Sequence, residues 1–199
     1  MLEYCRNGCS DGSFNVDDRL GTARQIAPEE KVRTFSEMPA LLARMRRTGT
    51  KVVLAQGVFD IVHLGHVGYL RASLRAIPEK SILVVGVEND EAVRRNKGLS
   101  RPINPIADRL QVLSEFMSVG IVFAFDDVPD YLRQEDFVDR YKALGRAVIA
   151  VPQWDPHRQL KERQAEEAGG QLALIDYRHE NSTTLMLARL GFGDRQASQ

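Results

Sequence analysis

The chain has 199 residues, with 27 Lys+Arg against 27 Asp+Glu, so its formal net charge is zero. A chain with no basic surplus is a poor general binder of nucleic acid or of anionic membranes, and neither is expected as a partner. At 43% hydrophobic and 27% charged residues, the composition is that of a globular domain and not of a disordered chain.

Residues 1–30 lack periodicity and carry several turn formers (Gly8, Gly12, Gly21, Pro28), so they read as a flexible extension ahead of one domain over 31–199. Cys5 and Cys9, the only cysteines, lie in that extension without the second ligand pair that a structural zinc site needs. The extension has no apolar signal-peptide core, and the most apolar run, residues 82–87, is too short to span a bilayer. A cytoplasmic location is therefore expected.

From about residue 35 the pattern becomes regular. A helix is expected over 36–47, capped by Ser36, with Leu41, Leu42 and Met45 on one face and Gly49 as its stop. A strand follows at 52–55, then a helix over 66–77 ended by Pro78. The alternation repeats: strand 81–87, a basic loop 94–104, helix 105–119, strand 121–125, helix 129–144, strand 147–151, helix 156–168, strand 171–175 and helix 183–190. Continuously apolar strands separated by helices imply a parallel sheet covered on both faces. The expected fold is α/β, a doubly wound, Rossmann-like sheet of five parallel strands. Ligands of such sheets bind beyond the carboxyl ends of the strands, near the switch point.

Residues 57–66, G-V-F-D-I-V-H-L-G-H, lie at such an end. Gly57 permits a tight turn, and Gly65 leaves the backbone open to a phosphate. His63 and His66 stand at the mouth of the next helix, where free N–H groups and the positive dipole end favour anions. Two imidazoles there can stabilise charge developing on phosphate oxygens. The alternatives are zinc ligation, for which the other histidines, His157 and His179, offer no ligand spacing, and plain packing. Asp60 is either a turn or cap residue or a substrate ligand. Between residues 94 and 109 five basic side chains (Arg94, Arg95, Lys97, Arg101, Arg109) face one acidic one, Asp108, which reads as a phosphate clamp or as a solvated loop. Ser182, Thr183 and Thr184 precede the last helix, as an ordinary N-cap or as a phosphate cradle.

The pattern G-x-F-D-x-x-H-x-G-H over 57–66 resembles the signature of the cytidylyltransferase-like nucleotidyltransferases. The stretch Lys97-Gly98-x-x-Arg101-Pro102-x-Asn104-Pro105, followed by Arg109, resembles the heptose-1-phosphate adenylyltransferase branch, and Ser182-Thr183-Thr184 matches the family's S-T-T. The likeness runs from about residue 32 to 190. It implies that His63, His66 and Lys97 are catalytic. It implies nucleotide contacts from Gly57, Val58, Phe59, Asp60, Gly65, Arg109, Ser182, Thr183 and Thr184. Arg95, Arg101 and Trp154 are weaker candidates, on the acceptor or phosphate side, with Trp154 either stacking on a base or packing. No protein metal ligand is implied; Mg²⁺ enters with the nucleotide. The implied reaction joins an NTP, best ATP, to a sugar phosphate, best a heptose 1-phosphate, with release of pyrophosphate. The alternatives are CTP with a polyol or alkyl phosphate, and a nucleotide-binding module without turnover. By family analogy the chain forms a homodimer. One departure stands out: where the family carries G-G-D or G-D-D after the fourth strand, this chain has Val151-Pro152-Gln153-Trp154-Asp155.

Overall fold

The computed structural model describes residues 26–128, 134–180 and 182–191. Most of the extension expected over 1–30, with Cys5 and Cys9, lies outside the described residues, as do the first residues of the helix expected from 129 and Asn181.

The apolar runs at 52–55, 81–87, 121–125, 147–151 and 171–175 all form strands: β2 (Lys51–Gly57), β3 (Ser81–Val87), β4 (Ile121–Ala124), β5 (Val148–Pro152) and β6 (Gln171–Ile175). The sheet has a sixth member. Ahead of β2 come a single-turn helix α1 (Pro28–Lys31) and a two-residue strand β1 (Val32–Arg33), which pairs with β4 through Val32–Val122 and Arg33–Phe123. The count of five is corrected to six. Two residues are too short to show a period, so only the pairing reveals β1. All pairings are parallel and the strand order is β1-β4-β3-β2-β5-β6. The chain runs outward from β2 to β4 and returns to add β5 on the other side of β2, so the switch point lies between β2 and β5.

Helices α2 (Met38–Arg47), α3 (Leu64–Arg75), α4 (Asp90–Lys97), α5 (Ile106–Ser114), α6 (Gln134–Leu144), α7 (Arg158–Glu167) and α8 (Thr183–Arg189) complete the fold. Alternation along β2 assigns the two faces: Val52 and Leu54 pack with Leu42, Phe123, Tyr141 and Ile149, while Val53 and Ala55 pack with Leu70, Val85, Leu113 and Val122. Gly86 is required by this packing, because a Cβ there would sit 2.5 Å from the Phe125 ring.

Three helical expectations are revised. Ser36 does not cap α2: a 3-10 turn at Phe35–Glu37 precedes it, and Thr34 stands at the start of that turn, its N–H and hydroxyl each donating to the Glu37 carboxylate at 2.7 Å. The helix expected over 105–119 ends at Ser114, where the largely buried Lys31 ammonium donates to the carbonyls of Ser114 and Phe116. That cation satisfies the helix's terminal carbonyls and complements its dipole. Arg94, Arg95 and Lys97, expected in a loop, form the last turn of α4, which Asn89 caps by accepting from Ala92 N–H.

The carboxyl end of β3 is fixed by a buried ionic cluster. Glu88, 3% exposed, takes both its oxygens to the Arg140 guanidinium at 2.9 and 3.0 Å. Arg140 also binds Asp127 through Nε and lies over the Phe125 ring at 4.0 Å. Burial alone would lower the Arg140 pKa; Glu88 and Asp127 more than offset it and raise it. Removing one partner leaves the other charge buried and uncompensated. Arg140→Ala is therefore expected to cost about 3–5 kcal/mol in urea unfolding; a loss under about 1 kcal/mol, typical of exposed pairs, would show that the cluster is solvated.

Candidate active site

The residues after β2 turn sharply to reach α3. Phe59 adopts φ +50°, rare for a residue with a side chain, and its ring lies buried under Gly57, where a Cβ would meet it at 3.1 Å. The turn delivers His63 to the N-cap of α3. His63 Nδ1 accepts from Gly65 N–H at 3.1 Å, and His66 Nδ1 accepts from His63 N–H at 3.4 Å. The two rings lie 4.0 Å apart, centroid to centroid.

A backbone N–H can only donate, so each Nδ1 presents a lone pair and the neutral ring carries its proton on Nε2. Desolvation, then the neighbouring His63, hold His66 down at about 4. Desolvation, then His179, also lower His63. Near neutral pH the site therefore offers two neutral Nε2–H donors beside a helix N-terminus.

Asp60 and Arg109 sit beneath this surface. Asp60, 2% exposed, accepts from Arg101 Nε at 2.6 Å, from Asn104 N–H at 2.8 Å and from Ile103 N–H. Its backbone carbonyl accepts from the Asn104 side-chain amide. Burial would raise the Asp60 carboxyl; the Asn104 and Ile103 amides and Arg101 more than offset it, holding it below the usual carboxylate range. Arg109, 1% exposed, donates to the carbonyls of Val58 (2.6 Å), Glu88 (2.8 Å) and Asn104 (3.0 Å) and to Asp90 Oδ1 (2.7 Å). Of the cap-or-ligand alternatives for Asp60, the structure shows a third: an anchor for residues 101–104. Arg101 is tied to that anchor, and Arg109 joins three loops from below.

The β6–α8 loop closes over the same place. Tyr177 OH donates to Leu64 O, Thr183 Oγ1 donates to Ile61 O, and the His179 ring stacks on His63 at 6.4 Å. Gly68 lets α3 approach, since a Cβ there would lie 1.8 Å from the Tyr177 ring. Ser182 caps α8 by accepting from Leu185 N–H; its hydroxyl and that of Thr184 are exposed. His179 is the residue that sequence reasoning missed, because it belongs to no spaced motif and meets His63 only through the fold.

Besides a cavity of about 500 Å³ lined by Phe59, Asp60, Asn104 and Arg109, among others, two more adjoin these loops. One, of about 420 Å³, is lined by Gln56, Val58, Asn96, Lys97, His157 and Lys161, among others. The other, of about 880 Å³, runs between α3 and β6 and includes Leu64, Arg71, Tyr177 and His179. Lys97 lines the 420 Å³ cavity, whereas Arg95 lies on the exposed face of α4. Trp154 lies in the turn after β5, 39% exposed, with the Arg178 guanidinium 5.6 Å from its ring centre. Among the described residues no group of three or more His, Cys, Asp or Glu could hold a metal ion, and no helix is long and apolar enough to cross a membrane.

A parallel sheet with paired imidazoles at the first helix N-terminus beyond its switch point is the arrangement that the resemblance to the nucleotidyltransferases implies. Comparison with known proteins gives the family: residues 54–187 match the model for cytidylyltransferase-like proteins. The chain belongs to the cytidylyltransferase-like family. It is 38% identical over 182 residues to the bifunctional protein HldE of Streptomyces coelicolor, covering 88% of this chain and 37% of that protein. It is 34% identical over 154 residues to the HldE protein of Sodalis glossinidius, covering 77% and 30%. The chain thus spans about a third of the length of the curated relatives it matches. A lipopolysaccharide core biosynthesis protein from Thermoplasma volcanium shares the fold, with TM-score 0.50 and 24% identity over 65% of this chain and 98% of that one.

The depressed His66 pKa has a consequence for stability. The unfolded chain takes up this proton near pH 6.5, while the folded chain resists it down to about 4. Stability from the neutral ring is complete above pH 6.5 and falls as pH drops toward 4, by about 3 kcal/mol in the limit. His66→Asn keeps an acceptor for His63 N–H without a titrating group. Its urea-unfolding free energy should fall less than that of wild type between pH 6.5 and 4. Parallel curves would show that His66 titrates normally.

Proposed function

We propose that the chain transfers a nucleotidyl group from an NTP to a sugar phosphate, with ATP and an aldoheptose 1-phosphate as substrates. The observation that carries this reading is the pair of neutral Nε2–H donors at the α3 N-terminus, on the family's motif. A phosphate oxygen of the acceptor attacks the α-phosphorus. The new P–O bond forms as the bond to the bridging α–β oxygen breaks, and pyrophosphate leaves with that electron pair. No side-chain nucleophile is needed; positioning and charge stabilisation supply the acceleration.

His63 and His66 donate to the phosphate oxygens as charge builds on them, and a neutral donor imposes no proton transfer on the step. Mg²⁺ arrives as the NTP complex; the nearby carboxylates of Asp60 and Asp90 are bonded to Arg101 and Arg109. Lys97 meets acceptor phosphate at the 420 Å³ cavity, whose amides, Gln56 and Asn96, suit a hydroxyl-rich acceptor. Ser182, Thr183 and Thr184 line the triphosphate side. Asp60 and Arg109 act as positioning residues. The heptose and ATP assignments rest on the Lys97–Arg109 resemblance and on the HldE relatives.

Pyrophosphate release, measured for each of four NTPs against a panel of sugar and polyol phosphates, tests the reading. ATP with an aldoheptose 1-phosphate should be the productive pair. Turnover with CTP alone would overturn the adenylyl assignment, and nucleotide binding without release from any pair would overturn transfer itself. His66→Ala should lower kcat about 10²-fold with little change in nucleotide affinity, as removal of a transition-state donor does.

A further inference from the structure

The turn after β5 is built in a specific way. Gln153 N–H donates to Ile175 O, which extends the β5–β6 ladder past Pro152. Asp155 then closes the turn: its N–H donates to Pro152 O, and its carboxylate accepts from His157 N–H at 2.8 Å and from Lys161 Nζ at 2.6 Å. Trp154 is therefore held on a braced turn at the carboxyl edge of the sheet. Arg178, which lies over its ring, comes from the loop that covers the site. Its neighbours in sequence both reach α3: Tyr177 through Leu64 O and His179 through the His63 ring. The guanidinium over the indole thus belongs to the residue that precedes His179 in sequence, and the His179 ring faces His63.

We propose that Trp154 and Arg178 form the shelf on which the nucleobase of the NTP stacks. This rests on the nucleotidyl-transfer reading and deepens it by assigning the base end of the nucleotide. Two features favour a base over the acceptor. An indole already paired with a guanidinium presents planar surfaces to a further planar ring, and every base has a π-face. A saturated sugar phosphate has no such face, and its charge is met in the other cavity, where Lys97, Lys161 and His157 stand.

Trp154 is the only tryptophan of the chain, so its fluorescence reports this place alone. Titrating the full-length protein with Mg·ATP or Mg·CTP, without acceptor, should give saturable quenching. Magnesium tripolyphosphate and a sugar 1-phosphate should give none. By calorimetry, Trp154→Ala should weaken ATP binding about 10- to 100-fold, with tripolyphosphate binding unchanged, and Trp154→Phe should restore most of the affinity. ATP binding equally tight in Trp154→Ala would overturn the shelf and leave nucleotidyl transfer intact. Quenching by the sugar phosphate in place of the nucleotide would assign the indole to the acceptor and also overturn it. Absence of ATP binding by the wild-type protein would overturn both readings.

Discussion

Arg109 carries a charge where the chain excludes water, and its partners are what make that burial tolerable. The Asp90 carboxylate offsets the charge, and the carbonyls of Val58, Glu88 and Asn104 complete the coordination of the guanidinium. Those partners come from the loop after β2, the end of β3 and the approach to α5. A guanidinium can hold three such segments because its donors diverge in a rigid plane; an ammonium of the same charge cannot span them. Asp60 acts as the counterpart from the other side, clasping residues 101–104. Together the two buried charges turn three loops at the sheet edge into one body. The Glu88–Arg140 pair extends that body to α6.

The proposed catalysis rests on this framework. His63 and His66 owe their tautomers to backbone N–H groups at fixed positions, so the orientation of the loop sets the protonation pattern. Desolvation keeps the rings neutral, and the helix N-terminus provides positive potential without titrating. For the proposed transfer, donors held in this way are already oriented, the condition under which fixed dipoles stabilise a transition state most effectively.

Much of this was legible in the sequence because it depends on apolar runs and on one spaced motif. The five longer strands are runs of four or more apolar residues, and His63, Gly65 and His66 are recognisable by spacing alone. Helix α4 escaped notice because its eight residues turn only Ala92 and Val93 into the core, too little to show a helical period. Its cap, Asn89, is the signal that could have disclosed it. Strand β1 is defined by its partner and not by its composition. The role of Arg109 was hidden for another reason: three of its four partners are backbone carbonyls, which leave no trace in residue identity. Sequence showed a cation near a phosphate site, and burial showed that it faces the protein.

The central claim is that the framework presents His63 and His66 as neutral donors through Nε2. Nitrogen-15 NMR of the imidazole side chains at pH 7 tests it directly. Both residues should show a protonated Nε2 and an unprotonated, hydrogen-bonded Nδ1. A proton on Nδ1 of either ring, or a doubly protonated imidazolium in the ligand-free protein, would contradict the account.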